Sequence, residues 1–410
     1  MSVESVRRVV DAVWRIDGAH IVAGIARLVN DVGLAEEIAQ DTLVIALEQW
    51  PRDGVPDDPG PWLRATARHR AIDVIRRRTR YAEKLRLFSR DAEGGVEDGT
   101  DLDDHIGDDL LRLIFTAAHP VLSTEGKVAL TLRLLGGLST VEIARAFLIP
   151  EATAAQRIVR AKRMLSGVGF TMPTPAETAE RLGAVLGVVY LIFNEGYSAT
   201  SGTDWARPAL CSEAMRLGRV LAGLLPDEPE VHGLVALMEL QASRLPARTD
   251  ADGRPVLLGD QDRRRWDRLL IRRGLAALDR AETLGGGPYT LQAAIAACHA
   301  RAVSSDDTDW GRIAALYEVL VYVRPSPVVR LNQAVAVGKA GDPARGLRIV
   351  DALSAERALR DYPQRPAVRG ELLAQLDRTP EAAAEFRRAA TLTHNESERT
   401  LFEARAAELG

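Results

Sequence analysis

Residues 122–165, LSTEGKVALTLRLLGGLSTVEIARAFLIPEATAAQRIVRAKRML, decide how the rest of the chain is read. They have the form of three helices. Ser123 is placed to cap the first, whose apolar positions are Val128, Leu132 and Leu135, and Gly136-Gly137 stops it. Ser139-Thr140-Val141-Glu142 is a capping box: a hydroxyl and a carboxylate three residues apart each satisfy a backbone N–H that a helix start leaves open. This second helix is short and reaches Phe147. Pro150 permits a third to begin, because a first-turn proline gives up no helical hydrogen bond. Ala154, Ile158, Ala161 and Leu165 then recur at helical spacing and predict a buried face. Gln156, Arg157, Arg160, Lys162 and Arg163 fall opposite, with Thr153 near the helix start.

A short helix, a tight turn and a basic amphipathic helix make a helix-turn-helix whose last helix enters DNA. An ordinary hairpin with a solvated basic face is the plainer alternative. The capping box, the turn and the ordered Arg/Lys face coincide here, and together they favour DNA. Such turns usually carry a glycine where this chain has Leu148. A non-glycine residue in a left-handed conformation costs ~1 kcal/mol, so a turn of different shape is expected. The stretch resembles region 4 of bacterial sigma factors of the extracytoplasmic-function group.

Upstream, residues 6–50 read as two or three helices. Ile21, Ile25, Leu28 and Val29 make one apolar face; Ile38, Leu43, Ala46, Leu47 and Trp50 make another, leaving Glu37, Gln40, Asp41 and Glu48 outside. Residues 51–61, PRDGVPDDPGP, read as a proline- and glycine-rich loop. A helix follows with Trp62, Leu63, Ala67, Ala71, Val74 and Ile75 inward; Trp62 is expected in the core, and Tyr81 is the better base-stacking residue. Residues 62–90 hold ten Lys/Arg against Asp73 and Glu83, whereas 91–109 hold nine Asp/Glu and no Lys/Arg. The acidic run reads as a solvated linker.

This upstream part resembles sigma region 2. Trp62-Leu63, Ala67-Arg68, Asp73 and Arg76-Arg77 match the helix that in the family faces the −10 element, and Arg80 continues it. Glu37, Gln40 and Asp41, with Glu48, match the acidic segment that contacts the coiled coil of the polymerase β′ subunit. The resemblance implies an all-α chain: region 2 over 6–90, an acidic linker over 91–109 and region 4 over 110–168. It implies core RNA polymerase (β′ and β subunits) and promoter DNA as partners, with Thr153, Gln156, Arg157, Arg160 and Arg163 on the −35 element. Arg68, Asp73, Arg76, Arg77 and Arg80 fall to the −10 element. Lys and Arg supply salt-dependent, sequence-blind phosphate affinity in either case.

The chain has 410 residues, 46% of them hydrophobic and 5% aromatic, with a net charge of −4. That is the composition of a globular protein, and it excludes a generic polyanion binder; any nucleic-acid site must come from local charge pattern. Two cysteines, Cys211 and Cys298, lack metal-ligand spacing and fit a reducing cytoplasm. The longest apolar run, 182–193, is too short for a bilayer, and the start of the chain has no signal-peptide pattern. A cytoplasmic protein is expected.

Residues 166–175, SGVGFTMPTP, read as a linker that permits reorientation. From 175 to 410 the chain reads as helical hairpins. The stretches starting at Leu331 and Gly370 align, with Pro343 and Pro380 opening equivalent helices 37 residues apart; a period near 34 suggests tetratricopeptide-like pairs. Three polar stretches interrupt it: FNEGY at 193–197, DQDRRRWD at 260–267 and GPYTLQ at 287–292. They resemble those of the sigma subgroup with a C-terminal tetratricopeptide-like extension, and the subgroup implies a small YCII-like protein as a partner. Glu195, Asp260, Asp262, His232 and His299 are the acid–base or metal candidates, but a network of Asp–Arg and Glu–Arg pairs is the favoured reading. Neither a phosphate loop nor a nucleophile motif occurs, so no catalytic residue, metal or cofactor is expected. Asp227, Glu228 and Glu230 are acidic positions on which the basic helices can dock. The competing function is a helix-turn-helix regulator with a helical-repeat sensor domain that binds ligand or protein.

Overall fold

The computed structural model describes residues 3–86, 106–198, 206–250 and 256–410, with the backbone alone for 3, 81–86 and 106. The described residues form helices and short helical turns, with no β-strand among them. By internal contacts the chain forms two compact units, Met1–Val189 and Tyr190–Gly410.

The first unit begins with α1 (Val3–Val29), α2 (Val32–Asp53) and α3 (Pro59–Arg86). Asn30 makes the tight corner with φ 51°, and Asp31 caps α2 by accepting from Leu34 N at 2.9 Å. Val6, Val10, Ile21, Val22 and Ile25 of α1 are buried with Ile38, Ala39, Ala46 and Trp50 of α2. Leu63, Ala67 and Ala71 of α3 are wholly buried, and the alanines let α3 approach α1 and α2 closely. The loop expected over 51–61 is shorter. α2 runs through Pro51 to Asp53, Gly54 closes it by donating to Trp50 O at 3.1 Å, and Pro59 already opens α3. Proline at a helix start costs nothing, so prolines mark a helix boundary here as well as a loop.

Next come α4 (Ile106–Ala117), α5 (Thr124–Leu134), α6 (Thr140–Ala146) and α7 (Glu151–Leu165). The acidic stretch lies outside the described residues as far as 105. Its last four positions do not behave as a solvated linker: α4 starts at Ile106, and Asp109 is buried between Arg27 at 3.0 Å and Arg112 at 2.9 Å. α8 (Pro175–Tyr197) follows, and the division between the units falls inside it. Segment 166–175 is fastened, not free: Phe170 is buried and its N–H donates to Asn30 Oδ1 at 2.8 Å.

The second unit continues with α9 (Pro208–Leu224), α10 (Pro229–Ala242), α11 (Arg268–Thr283), α12 (Pro288–Arg301) and α13 (Trp310–Val323). It ends with α14 (Pro327–Lys339), α15 (Pro343–Ala352), α16 (Gln364–Ala374), α17 (Thr379–Leu392) and α18 (Glu396–Glu408). α14–α15 and α16–α17 pack as consecutive pairs, with Pro343 and Pro380 in the first turns of α15 and α17. Small residues set the spacing. A Cβ on Gly346 would meet Ala334 O at 2.7 Å, and one on Gly370 would meet the Phe386 ring at 3.1 Å.

Candidate nucleic-acid interface

The helix-turn-helix is built by its caps. Ser123 Oγ accepts from Gly126 N at 3.2 Å at the start of α5. At α6 the box is reciprocal: Glu142 N donates to Ser139 Oγ at 3.2 Å, and Ser139 N donates to Glu142 Oε2 at 2.8 Å. Burial opposes charge on Glu142, but these bonds and the nearby Arg15 and Arg145 outweigh it and hold its carboxyl below the usual range. The turn does not take a different shape to accommodate Leu148. Leu148 itself adopts the left-handed conformation, φ 49°, with its side chain half in solvent. Ile149 N then reaches Ala144 O at 3.0 Å, and Pro150 stands at the N-cap of α7, one residue before the helix.

On α7, Ala154, Ile158, Ala161 and Leu165 are buried. Gln156, Arg160 and Arg163 are exposed along one stripe, with Thr153 and Arg157 half-buried at its edge. Lys162 does not belong to that stripe. Its ammonium lies 2.6 Å from Glu36 of α2, and its side chain is 17% exposed. Three charges therefore meet between α2, α5 and α7, because Arg133 also reaches Glu36 at 2.8 Å. Glu36 is 4% exposed. Burial opposes its charge; Arg133 and Lys162 together prevail and hold the carboxyl below its ordinary value. Glu36 is not among the acidic residues of α2 that the sequence marks as exposed. It occupies a position on the apolar stripe of Val32, Ala39 and Ala46, and that placement is the signal that marks it as buried.

The acidic face of α2 is largely open. Glu37, Asp41 and Glu48 are exposed and Gln40 is half-buried. Asp41 accepts from Arg70 of α3 at 2.8 Å, and Glu37 lies 3.9 Å from Lys162. Along α3, Asp73, Arg76, Arg77, Arg78 and Arg80 are exposed and Arg68 is half-buried. Trp62 is half-buried and meets Trp50 edge-on at 5.3 Å between ring centres. The Tyr81 side chain lies outside the described residues.

In the second unit the acid–base candidates do not converge. Glu195 pairs with Arg207. Asp262 accepts from Arg264 at 3.0 Å, Asp260 is exposed, and His232 Nε2 lies 2.9 Å from Pro226 O. His299 is buried beside Trp310, and burial with the charges of Arg244 and Arg263 pushes it down to about 3. Among the described residues no three His, Cys, Asp or Glu side chains form a metal-holding group. Ion pairs link neighbouring elements instead, as in Arg219–Glu239 at 2.8 Å and Arg345–Glu318 at 2.9 Å. Two acidic positions expected as docking points are occupied. Asp227 pairs with Arg280 at 3.0 Å, and Glu230 accepts from Tyr289 N at 2.8 Å, capping α12. Cys211 and Cys298 are free and buried, and burial pushes the Cys211 thiol up to about 12. No helix among the described residues is long and apolar enough to cross a membrane.

Three family models match the chain: sigma-70 region 2 over residues 19–81, sigma-70 region 4 over 112–165, and a family of unknown function, DUF6596, over 181–282. An uncharacterised protein of Rhizobium meliloti is 46% identical over 384 residues, covering 92% of this chain and 90% of that protein. The ECF RNA polymerase sigma factor SigC of Mycobacterium tuberculosis is 32% identical over 143 residues, which is 33% of this chain and 70% of that protein. The probable RNA polymerase sigma-C factor of Mycobacterium bovis matches to the same extent.

Proposed function

The chain belongs to the extracytoplasmic-function group of the sigma-70 family, and from that premise we propose that it directs core RNA polymerase to promoters by reading a −35 and a −10 element. One observation carries the reading: the exposed stripe of Gln156, Arg160 and Arg163 on α7, opposite the buried Ala154, Ile158, Ala161 and Leu165. A helix held by its apolar face, with guanidiniums and an amide outward, is equipped for base edges in the major groove. Thr153 and Arg157 flank the stripe and serve the phosphates or neighbouring bases.

α3 serves the −10 element. Arg68, Arg76, Arg77 and Arg80 draw in the phosphates, with Asp73 on the same helix, and the loop at 54–58 beside α3 receives an unstacked base. Extrusion costs a few kcal/mol of stacking, which contacts to polymerase and to the captured base return. Glu37, Gln40, Asp41 and Glu48 form the face for the β′ subunit, and the β subunit lies within reach of region 4. The 175–410 extension, tetratricopeptide-like in its pairing, modulates this activity. The subgroup resemblance is the support for a small YCII-like protein as its partner.

The test is run-off transcription with purified core polymerase on a library of genomic promoters. Initiation that requires this protein supports the reading. Binding to duplex operator DNA without polymerase, and no polymerase-dependent initiation, would favour the helix-turn-helix regulator instead.

A further inference from the structure

A recess of about 200 Å³ opens in the second unit where the end of α10 faces α12 and α13. Its walls hold Gln241 and Arg244 at the end of α10, Tyr317 of α13, Asn332 of α14 and Tyr190. Leu237 and Ile295 supply apolar surface, and no Asp or Glu lines it. Arg244 is the arginine that lines this recess. Its Nε is buried without an acceptor, and no carboxylate of a described residue pairs with it. Its neighbours are ring faces: Tyr197 lies 5.7 Å and Trp266 6.0 Å from its guanidinium carbon. Stacking of that kind holds the plane of a guanidinium without using its N–H donors. Arg263, the next cation, spends its own donors on Ala302 O at 3.0 Å and Thr308 Oγ1 at 2.9 Å.

A half-buried cation without a counter-ion is costly unless something supplies the negative charge. The remaining polar groups have the matching sense. Burial pushes the Tyr317 hydroxyl up to about 12 and raises that of Tyr190, so both remain neutral donors. His299, which also lines the recess, is kept neutral by burial and by the positive charges of Arg244 and Arg263. We propose that this recess binds a small carboxylic acid, with its carboxylate on Arg244 and the Gln241 and Asn332 amides and its carbon skeleton against Leu237 and Ile295. The planar fork of a guanidinium matches a carboxylate. One available cation suits a monoanion better than a phosphate dianion. Drug-sized ligands need roughly 300 Å³ or more, so the occupant is an acid of a few carbon atoms.

The experiment is isothermal titration of the full-length protein at matched ionic strength with sodium acetate, sodium lactate, sodium succinate and inorganic phosphate. Acetamide serves as the uncharged counterpart of acetate. One carboxylate binding per chain is expected, with no binding of acetamide. Arg244→Gln, with an unchanged circular dichroism spectrum, should weaken that carboxylate at least tenfold. Asn332 is exposed, so Asn332→Asp keeps the test open if the first variant misfolds. Its added carboxylate repels the ligand or takes Arg244 for itself, and it too should weaken binding at least tenfold. Arg264→Gln, outside the recess, should leave binding unchanged. Absence of binding by all three carboxylates overturns the proposal, as does binding of phosphate alone or equal binding by wild type and the folded Arg244 and Asn332 variants.

Discussion

Arg160 carries the sharpest expectation at the scale of single residues. It is exposed in the middle of the α7 stripe and contributes nothing to the core beneath it. A good base contact is worth ~1–3 kcal/mol of discrimination. Arg160→Ala should therefore reduce initiation at −35-dependent promoters by roughly ten- to hundredfold while core-polymerase binding stays unchanged in a pull-down. Equal promoter preference in wild type and variant would remove this face from DNA recognition. Leu148 is a second case. Its φ of 49° holds a branched aliphatic side chain where ~1 kcal/mol of strain is expected. Leu148→Gly relieves the strain and loses some chain stiffness in the unfolded state, so a net change between neutral and about +1 kcal/mol is expected. Leu148→Val, β-branched in the same turn, should lower the melting temperature. If Val is tolerated as well as Gly, the turn is not strained.

At the scale of elements, α2 turns one face outward and one inward. Outward, Asp41 stands 59% exposed in its side chain and pairs with Arg70. An exposed pair is worth at most about 1 kcal/mol, so Asp41→Arg should leave the helix folded while opposing a basic-surface partner. Holoenzyme formation measured by gel filtration should fall at least tenfold; normal assembly of a folded variant would count against the polymerase face. Inward, Glu36 binds α5 and α7 to α2. Removing one member of a buried pair typically costs ~3–5 kcal/mol. Glu36→Gln should thus speed amide exchange in α2 and α7 at pH 7. The sign with pH follows from the depressed carboxyl. The stabilisation is complete above the unfolded value of about 4.3 and is lost as pH falls through the lower folded value. Acid unfolding of wild type should steepen below that point, and the variant should lack the extra slope. The buried apolar face of α7 was readable because its spacing is strict. Lys162 was not, because periodicity places a residue on a side of a helix and is silent on whether another helix of opposite charge lies there. Asp109 escaped for a related reason: it ends an acidic run in composition but begins the amphipathic α4 in structure.

For the whole molecule, the all-α class and the hairpins of the extension were legible from caps, prolines and apolar spacing, and the order of region 2 and region 4 from the family resemblance those stretches carry. The unit boundary was not. Residues 166–175 are rich in glycine and proline, yet Phe170 and Asn30 fasten them, and Leu182, Val185 and Leu186 of α8 are buried before the boundary. Composition marks where a chain bends easily, whereas a boundary is set by where long-range contacts cease. A truncation meant to keep the first unit whole therefore ends after Val189. The second unit is over half of the chain, more than promoter reading needs. Deleting 190–410 should leave a folded first unit with altered promoter output. A fall is expected, because the extension's capped, apolar helices are built as an integral part of the chain. Transcription and core binding at equal soluble concentration check this, and equality in both would deny the extension a regulatory or assembly role.

If the chain reads promoters as proposed above, the contact of Lys162 with Glu36 limits how strongly the free chain holds one. Elements named −35 and −10 are centred about 25 base pairs apart, or about 85 Å at ~3.4 Å per pair. On the function proposed above, α7 held to α2 by the 2.6 Å contact of Lys162 with Glu36 is expected to fall short of that distance. One hand at a time can grip, so the gain that comes from linking two weak sites is absent. On that reading avidity is expected only once the pair of Lys162 with Glu36 has parted, and Lys162→Glu should raise the free chain's affinity for a duplex carrying both elements.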